Sequence, residues 1–233
     1  MYPYGYYGFG LDPTIMILIP AILFTMYAQF KVSSTTSKYL RVNASKGYTG
    51  EQVARTILNS NGLHNVSIEM VTGHLTDHYD PRSNTVRLSQ DIYYGTSITS
   101  ISVAAHECGH AIQHAKGYVP LNFRSALVPI VNFSSNISWL LIALGFIMRG
   151  PFLEIGIILF AASVLFQIVT LPVEFNASSR AIVQLNNLGI VDKRESNQSR
   201  KVLTAAALTY VAAALTSVLQ LLRLLAIANR DND

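Results

Sequence analysis

The sequence predicts a mainly α membrane protein with four transmembrane helices and a small α+β polar domain. Apolar residues make up 50% of the 233-residue chain and charged residues only 13%, about half of the roughly 25% found in soluble domains. The apolar residues are gathered into four long runs, each about long enough to cross a hydrocarbon layer of roughly 30 Å as a helix. A polar stretch long enough for a small domain follows the first run.

The apolar runs set the predicted boundaries. No Lys or Arg precedes the first run, and Lys31, Lys38 and Arg41 follow it, which favours a retained anchor over a cleaved signal peptide. Residues 149–151 predict a tight turn, so the second and third runs form a helical hairpin. A soluble bundle of buried helices is the alternative. The transmembrane helices are placed at residues 14–30, 126–148, 152–173 and 202–228, with polar regions at 31–125 and 174–201, an aromatic, flexible start at 1–13 and a tail at 229–233.

The distribution of basic residues predicts the orientation in the membrane, because Lys and Arg in short segments near span ends favour the cytoplasm. Residues 1–13 contain none, residues 31–46 contain four, and residues 174–201 contain five. Both polar regions are therefore expected in the cytoplasm, with the N-terminus and C-terminus outside.

Charge and cysteine content restrict the classes of partner. The net charge of +4 calls for no nucleic acid, because the basic residues lie where membrane topology requires them and no base-reading motif accompanies them. The single Cys excludes an internal disulfide. The expected surroundings are a lipid bilayer, and the sequence leaves open a membrane-protein partner or a homo-oligomer.

One helix is expected to carry the chemistry. Residues 97–115 lack Pro, begin with hydroxyl residues suited to capping and stop near Gly117. His106 and His110 are four residues apart, which places both imidazoles on one face of this helix and lets both reach a single metal ion. Cys108 points away from that face and is expected to pack, whereas His114 lies one turn further along it and is a weaker candidate ligand.

Glu107 completes a His-Glu-x-x-His motif. Two neutral histidines are typical zinc ligands, and a catalytic zinc keeps a coordination position open for water. A carboxylate beside the ion can act as the general base that activates this water for attack on a peptide carbonyl. Buried, hydrogen-bonded histidines without a metal are the alternative.

A third protein ligand is expected among the carboxylates that follow the motif. Glu174 lies at the predicted cytoplasmic end of the third span, where a carboxylate needs a partner. The predicted topology places the remaining carboxylates outside the membrane or in an exposed linker: Glu154, Asp192, Glu195, Asp231 and Asp233. One Zn²⁺, held by His106, His110 and Glu174, is therefore the predicted cofactor.

The chain resembles the YugP-like neutral zinc metallopeptidases, membrane proteins related to the HtpX and prenyl-protein protease group of gluzincins. The resemblance rests on HECGHAIQH (residues 106–114), PVEFNASSRA (residues 172–181) and GHLTDHYDPRSNTVRLS (residues 73–89). It implies that Glu174 is the third ligand and that Ala177 and Arg180 occupy family positions. Ser178 stands where the wider group has an Asp, which puts a contact with the first histidine in doubt; Arg180 serves packing or substrate charge.

A small sheet is predicted next to the zinc helix, because residues 66–70 and 86–88 alternate as strands do and residues 80–84 favour a turn. A helix at residues 49–61 precedes it. The resemblance implies that an edge strand pairs with the substrate backbone.

His78 is the first candidate for an additional catalytic residue. Substrate orientation or oxyanion stabilisation are candidate roles for its neighbours His74, Asp77 and Tyr79, with plain strand and turn hydrogen bonding as the alternative for all four.

The leading functional hypothesis is a zinc-dependent endopeptidase that cleaves membrane-associated or unfolded polypeptides at the cytoplasmic membrane face, a placement that suits protein quality control. An inactive zinc-containing scaffold or adaptor is the first alternative, although Glu107 argues against it because a structural zinc site needs no base. A transporter or channel is the second alternative, since polar residues in the predicted spans could line a path. These residues are Ser135, Asn136, Gln167 and Arg223.

Overall fold

The structure, a computed structural model, describes residues 13–74, 76–148 and 151–231. A short 3-10 helix (Pro13–Leu18) leads into the first α-helix. The α-helices are α1 (Ile19–Leu40), α2 (Gly50–Ser60), α3 (Gln90–Tyr93), α4 (Ile98–Ala115), α5 (Val119–Met148), α6 (Phe152–Asn187) and α7 (Lys193–Asp231), and the strands are β1 (Ser67–Val71), β2 (His78–Asp80) and β3 (Thr85–Ser89). The predicted fold class is confirmed.

Among the described residues, four helical segments are long and apolar enough to cross a membrane: Thr14–Leu40, Val119–Met148, Phe152–Asn187 and Lys193–Asn229. The last two contain 36 and 37 residues, so each is about 54 Å long, well beyond a hydrocarbon core of roughly 30 Å. The third span is predicted to end at residue 173, and the helix itself continues past Pro172 to Asn187. Glu174 therefore lies on a rigid helix rather than on a separate segment.

Some predictions fall outside the described residues. These are the aromatic start up to residue 12, the turn residues Arg149 and Gly150, and the last two residues of the tail. Pro151, the remaining predicted turn residue, is the N-cap of α6.

Helices α5 and α6 form the predicted hairpin. A Cβ atom on Gly145 would lie 2.6 Å from the Leu153 backbone nitrogen, and one on Gly156 would lie 2.8 Å from the Ile142 side chain. Small residues thus let the two backbones approach closely, as is common between membrane helices.

Helices α1 and α7 run antiparallel. The hydroxyl oxygens of Thr25 and Thr216 lie 3.3 Å apart, and Arg223 Nε donates to Thr14 Oγ1 at 3.3 Å. Arg223, considered above for a transport path, thus bonds to the short 3-10 helix that precedes α1.

The polar domain forms around α4. Helix α2 starts with a capping box between Thr49 and Gln52 and buries Val53, Ile57 and Leu58. The sheet has the order β1-β3-β2, with β1 parallel to β3 and β2 antiparallel to it. The predicted turn therefore joins β2 to β3, while β1 reaches β3 by a longer connection.

Helix α4 matches its predicted bounds closely. Ser97 caps it by accepting a hydrogen bond from Ser100 N at 3.0 Å, and Gly117, with φ +60°, follows its end. Its buried residues include Ile101, Ala104 and Cys108, which belong to one core with α2 and the C-terminal part of α6. As predicted, Cys108 packs, with its Sγ 3.6 Å from the Ala54 carbonyl oxygen. This packing fixes α4 between the polar domain and the membrane helices.

Candidate metal centre

His106 and His110 lie one turn apart on α4 and direct their Nε2 atoms at each other, 3.2 Å apart. Helix α6 brings Glu174 to the same point. Its Oε2 lies 3.3 Å from His106 Nε2 and 3.5 Å from His110 Nε2. Three donor atoms from two helices thus form a compact triangle, and Glu174 is almost completely buried.

The hydrogen bonds of the two imidazoles define where their protons lie. Gln113 Nε2 donates to the Val173 carbonyl at 2.8 Å, so the Gln113 amide must turn its oxygen toward His110 Nδ1, 3.0 Å away. That oxygen only accepts, hence Nδ1 of His110 carries the proton. Ser178 Oγ lies 3.2 Å from His106 Nδ1 and can accept its proton in the same way. Both Nε2 atoms of the neutral rings then present lone pairs.

Two imidazole lone pairs and a carboxylate oxygen facing each other at 3.2–3.5 Å repel unless a cation lies between them. Zinc binds His nitrogen and carboxylate oxygen at about 2.0–2.2 Å in a tetrahedron, for which the distance between neighbouring ligands is about 3.3 Å. The observed triangle has this size. His106, His110 and Glu174 thus fit a single zinc ion.

A second set of residues holds Gln113 in place. Gln113, which sequence reasoning gave no role, is fully buried and also donates to Asn176 Oδ1 at 3.0 Å. Arg180 Nε donates to the same oxygen at 2.7 Å, and its guanidinium lies 5.9 Å from the Tyr118 ring centroid. Arg180 therefore acts on His110 through Asn176 and Gln113 and makes no contact with the triangle.

The two ligand-bearing helices touch at Gly109. A Cβ atom there would lie 2.5 Å from the Ala177 carbonyl oxygen, closer than real Cβ contacts come. Only glycine at this position lets α4 and α6 approach closely enough for Glu174 to reach the histidines.

Glu107 lies in a cavity of about 240 Å³ that it lines with His106, Asp77 and Tyr210. Apolar residues of α1 and α7, among them Val32 and Val202, form the opposite wall. Burial raises the pKa of the Glu107 carboxyl, while the two neighbouring imidazoles act in the opposite direction. The cavity thus holds an acid–base group next to the donor triangle.

Asp77 is the predicted substrate-contacting residue that reaches this cavity. Its Oδ1 accepts hydrogen bonds from Ser89 N at 2.7 Å and Ser89 Oγ at 3.1 Å. Burial raises the pKa of the Asp77 carboxyl, and the Ser89 hydrogen bonds partly offset that. These bonds hold the carboxylate at the end of β3, facing Glu107.

The other predicted residues of this stretch lie elsewhere. His78 is exposed on β2, and its Nδ1 donates to the Thr76 carbonyl at 2.8 Å; it does not line the cavity. Tyr79 points to the opposite face of β2, and its hydroxyl lies 2.8 Å from His114 Nδ1. His74 pairs with Asp91 at 3.4 Å on the surface. The geometry therefore gives His78 no catalytic contact, and His114 is occupied outside the triangle.

Two residues near Glu174 were not identified from the sequence. Arg124 of α5 places Nη1 3.7 Å from Glu174 Oε1 and its guanidinium 5.7 Å from the Phe166 ring centroid. Tyr210 of α7 lines the Glu107 cavity and interacts with the Glu174 carboxylate. A lone Arg just before an apolar run and a lone Tyr inside another were the signals available, but their common partner lies far away in sequence.

Comparisons with known proteins agree with this centre. A family model described as "Putative neutral zinc metallopeptidase" matches residues 14–229. The chain is similar to the "Putative membrane protease YugP" of Bacillus subtilis (strain 168), with 51% identity over 220 residues that cover 94% of this chain and 98% of that protein. No solved structure matches the chain. With its membrane-spanning helices and its three converging metal donors, the chain belongs to the neutral zinc metallopeptidase family.

Proposed function

We propose that this protein is a membrane-embedded zinc endopeptidase of the gluzincin type. His106, His110 and Glu174 hold the ion, and Glu107 is the general base. The observation that carries the proposal is the position of Glu107 in the cavity beside a donor triangle with edges of 3.2–3.5 Å. A purely structural zinc site is closed by four protein ligands and needs no neighbouring base.

The reaction is hydrolysis of a peptide bond. Zinc, when bound, supplies a Lewis acid that polarises the scissile carbonyl and makes water more acidic. The Glu107 carboxylate takes a proton from the attacking water as the C–O bond forms, and returns it to the amine nitrogen as the C–N bond breaks. Ser178 and Gln113 keep both imidazoles in the tautomer that leaves Nε2 free.

The proposed substrates are membrane-associated or unfolded polypeptides. The Glu107 cavity is walled by α1 and α7, two helices that continue into the apolar part of the bundle. In the described part of the chain, β2 pairs on one side only, so its free edge can pair with an extended backbone. Recognition through backbone hydrogen bonds would tolerate many side-chain sequences and suits quality control.

We further propose that the centre faces the cytoplasm, with both termini outside. The support is the cluster of basic residues in 31–46 and 174–201. Reporter fusions at Arg149 and at Asn186 should fall on opposite sides of the membrane, with the Asn186 fusion cytoplasmic. Both fusions on one side would refute this topology.

The function is tested on purified protein in detergent with a reduced, unfolded polypeptide as substrate. The wild type should bind about one zinc per chain and cleave; a chelator should abolish cleavage. Glu107→Gln should keep the zinc and lose roughly 10²- to 10⁴-fold in rate, whereas Glu174→Gln should lose the zinc. Glu51→Gln, which removes a half-buried carboxylate from the first turn of α2, outside the donor triangle and the Glu107 cavity, is the matched control and should behave as wild type. Zinc bound to an inactive wild type would favour the scaffold alternative.

A further inference from the structure

A groove of about 760 Å³ lies between α1 and α7, away from the Glu107 cavity. Its wall contains the cationic side chains of Lys31, Lys38, Arg200 and Lys201. None of these residues takes part in the proposed peptidase centre. The groove therefore needs an explanation of its own.

Helical spacing brings these cations together. On α1, Lys31, Ser34, Thr35 and Lys38 follow the i, i+3, i+4, i+7 pattern of one helix face. On α7, the lining residues Asn197, Arg200, Lys201, Thr204 and Leu208 follow the same rule. The two faces oppose each other across the groove, and different faces of the same helices, with Val32 and Val202, line the Glu107 cavity.

The groove also has two chemically different ends. The antiparallel contact between Thr25 and Thr216 places Lys38 close to the level of Arg200 and Lys201, and Lys31 close to that of Leu208. The apolar part of α1 ends at Lys31, and that of α7 begins after Lys201. Lys38, Arg200, Lys201 and the Asn197 amide thus lie at the polar end of the groove, whereas Ala205 and Leu208 line the end that enters the apolar part of the bundle, with Lys31 at its edge.

The cations have no counter-ion among the described residues. No Asp or Glu is among the described residues that line the groove, and the ion pairs of the described chain all lie elsewhere. Within the part of the chain that the structure describes, the contact of Lys38 Nζ is with the Tyr39 ring, 5.5 Å from its centroid. The nearby acid Glu195 is engaged with Ser45, whose amide donates to it at 2.6 Å. Four like charges around one cavity repel each other, and an anion would relieve this.

We propose that the groove binds the headgroup of an anionic phospholipid. The phosphodiester lies between Lys38, Arg200 and Lys201, hydroxyl and amide groups of the wall donate to its oxygens, and the acyl chains leave past Ala205 and Leu208. Basic pockets between membrane helices at the surface bind such headgroups. The positive-inside rule alone explains basic residues on this side, but not their convergence on one counter-ion-free groove. The site is independent of the proposed peptidase function.

The test uses the full-length protein in an uncharged detergent, titrated with phosphatidylglycerol and followed by native mass spectrometry of bound lipid. We expect one tight adduct with phosphatidylglycerol and much weaker binding of phosphatidylcholine. The triple variant Lys38→Gln, Arg200→Gln, Lys201→Gln should bind phosphatidylglycerol roughly a hundredfold more weakly, at about 1 kcal/mol per cation removed. Zinc content, measured on the same samples, reports that the variant is folded, because the donor triangle lies outside the groove.

A matched triple variant controls for total charge. Arg41→Gln, Lys46→Gln, Lys116→Gln removes three exposed cations that lie near the ends of membrane helices but do not line the groove. It should stay within about threefold of wild type. Equal losses in the two variants, or equal binding of phosphatidylcholine, would overturn the proposal. The phosphatidylglycerol titration is repeated with inorganic phosphate or glycerol 1-phosphate as competitor. Displacement of the lipid by either compound at equal concentration would show a free-phosphate site instead.

Discussion

Gly109 on α4 and Ala177 on α6 are in backbone contact, and this contact sets the distance between the histidines and Glu174. A Cβ atom on Gly109 would lie 2.5 Å from the Ala177 carbonyl oxygen. Because that oxygen belongs to a helix backbone, it cannot swing aside as a side chain can. The size of the donor triangle thus depends on a residue that carries no functional group.

Gly109→Ala should therefore weaken zinc binding. Overpacking of this kind costs about 1–3 kcal/mol, and we expect the helices to separate and the zinc content of the purified protein to fall below one per chain, as measured by atomic absorption. Gly145→Ala is the control, because its Cβ would clash at 2.6 Å with Leu153 in the membrane hairpin, away from the donors. It should lower the thermal midpoint but keep the zinc. Equal zinc loss in both variants would contradict this account.

Gln113→Leu should reduce zinc affinity without touching a proposed ligand. The change removes the oxygen that accepts the His110 Nδ1 proton at 3.0 Å, so the ring can turn or protonate at Nε2. Losing such an orienting partner typically costs about 10- to 100-fold in metal affinity, measurable by chelator competition. Gln184→Leu, which removes a 3.4 Å contact with Asn61 elsewhere on α6, should leave the affinity unchanged. An unchanged affinity in Gln113→Leu would mean that the amide does not orient His110.

Two substitutions at Ser178 test the acceptor for the His106 Nδ1 proton, one by removing it and one by replacing it with a carboxylate. Its hydroxyl lies 3.2 Å from His106 Nδ1, so Ser178→Ala should weaken zinc binding by roughly tenfold. Ser178→Asp supplies a charged acceptor for the same proton, and charge-assisted hydrogen bonds are stronger, so it should bind zinc at least as tightly as wild type. Chelator competition measures both. Ser179→Ala, an exposed neighbour, is the control, and a loss of affinity in Ser178→Asp would show that the position cannot carry a carboxylate.

The parts of the site that sequence reasoning identified are those with local signals. Helix α4 was predicted within one residue, because Ser97 and Gly117 mark its ends and the two histidines follow helical spacing. Glu174 stands out because a carboxylate next to an apolar run needs a partner. Ser178 was doubted as a contact of His106 only because a hydroxyl replaces a carboxylate, and the structure places it at hydrogen-bonding distance.

The parts that were missed depend on contacts between distant segments. Gln113 bonds to Val173, 60 residues away, and no local pattern predicts that pairing. In the sheet, alternation has the same period for parallel and antiparallel pairs, so the parallel pairing of β1 with β3 could not be derived. His78 and Tyr79 differ by one position in β2, and this difference alone decides which of them faces α4.

The β2–β3 hairpin next to the site should depend on pH through Asp80. Its hydrogen bond with Arg87, at 2.9 Å, and those with Ser83 and the Arg82 amide hold the pKa of the Asp80 carboxyl well below its usual range. A carboxyl whose pKa is lower in the folded than in the unfolded state stabilises the hairpin in its ionised form. This stabilisation is complete above the unfolded pKa of about 3.9, and it is lost as the pH falls through the folded pKa. Asp80→Asn should therefore lower the hydrogen-exchange protection factors of residues 78–89 at pH 7, by roughly fivefold at most for a half-buried pair that water still reaches. The difference in protection factors between wild type and Asp80→Asn should shrink below pH about 4.

The measurement uses protein from which the metal has been removed with a chelator, so that acid release of metal does not contribute. Glu69→Gln removes the more exposed partner of the same arginine and should have a smaller effect; an equal effect at every pH would show that Asp80 has no special role in the hairpin.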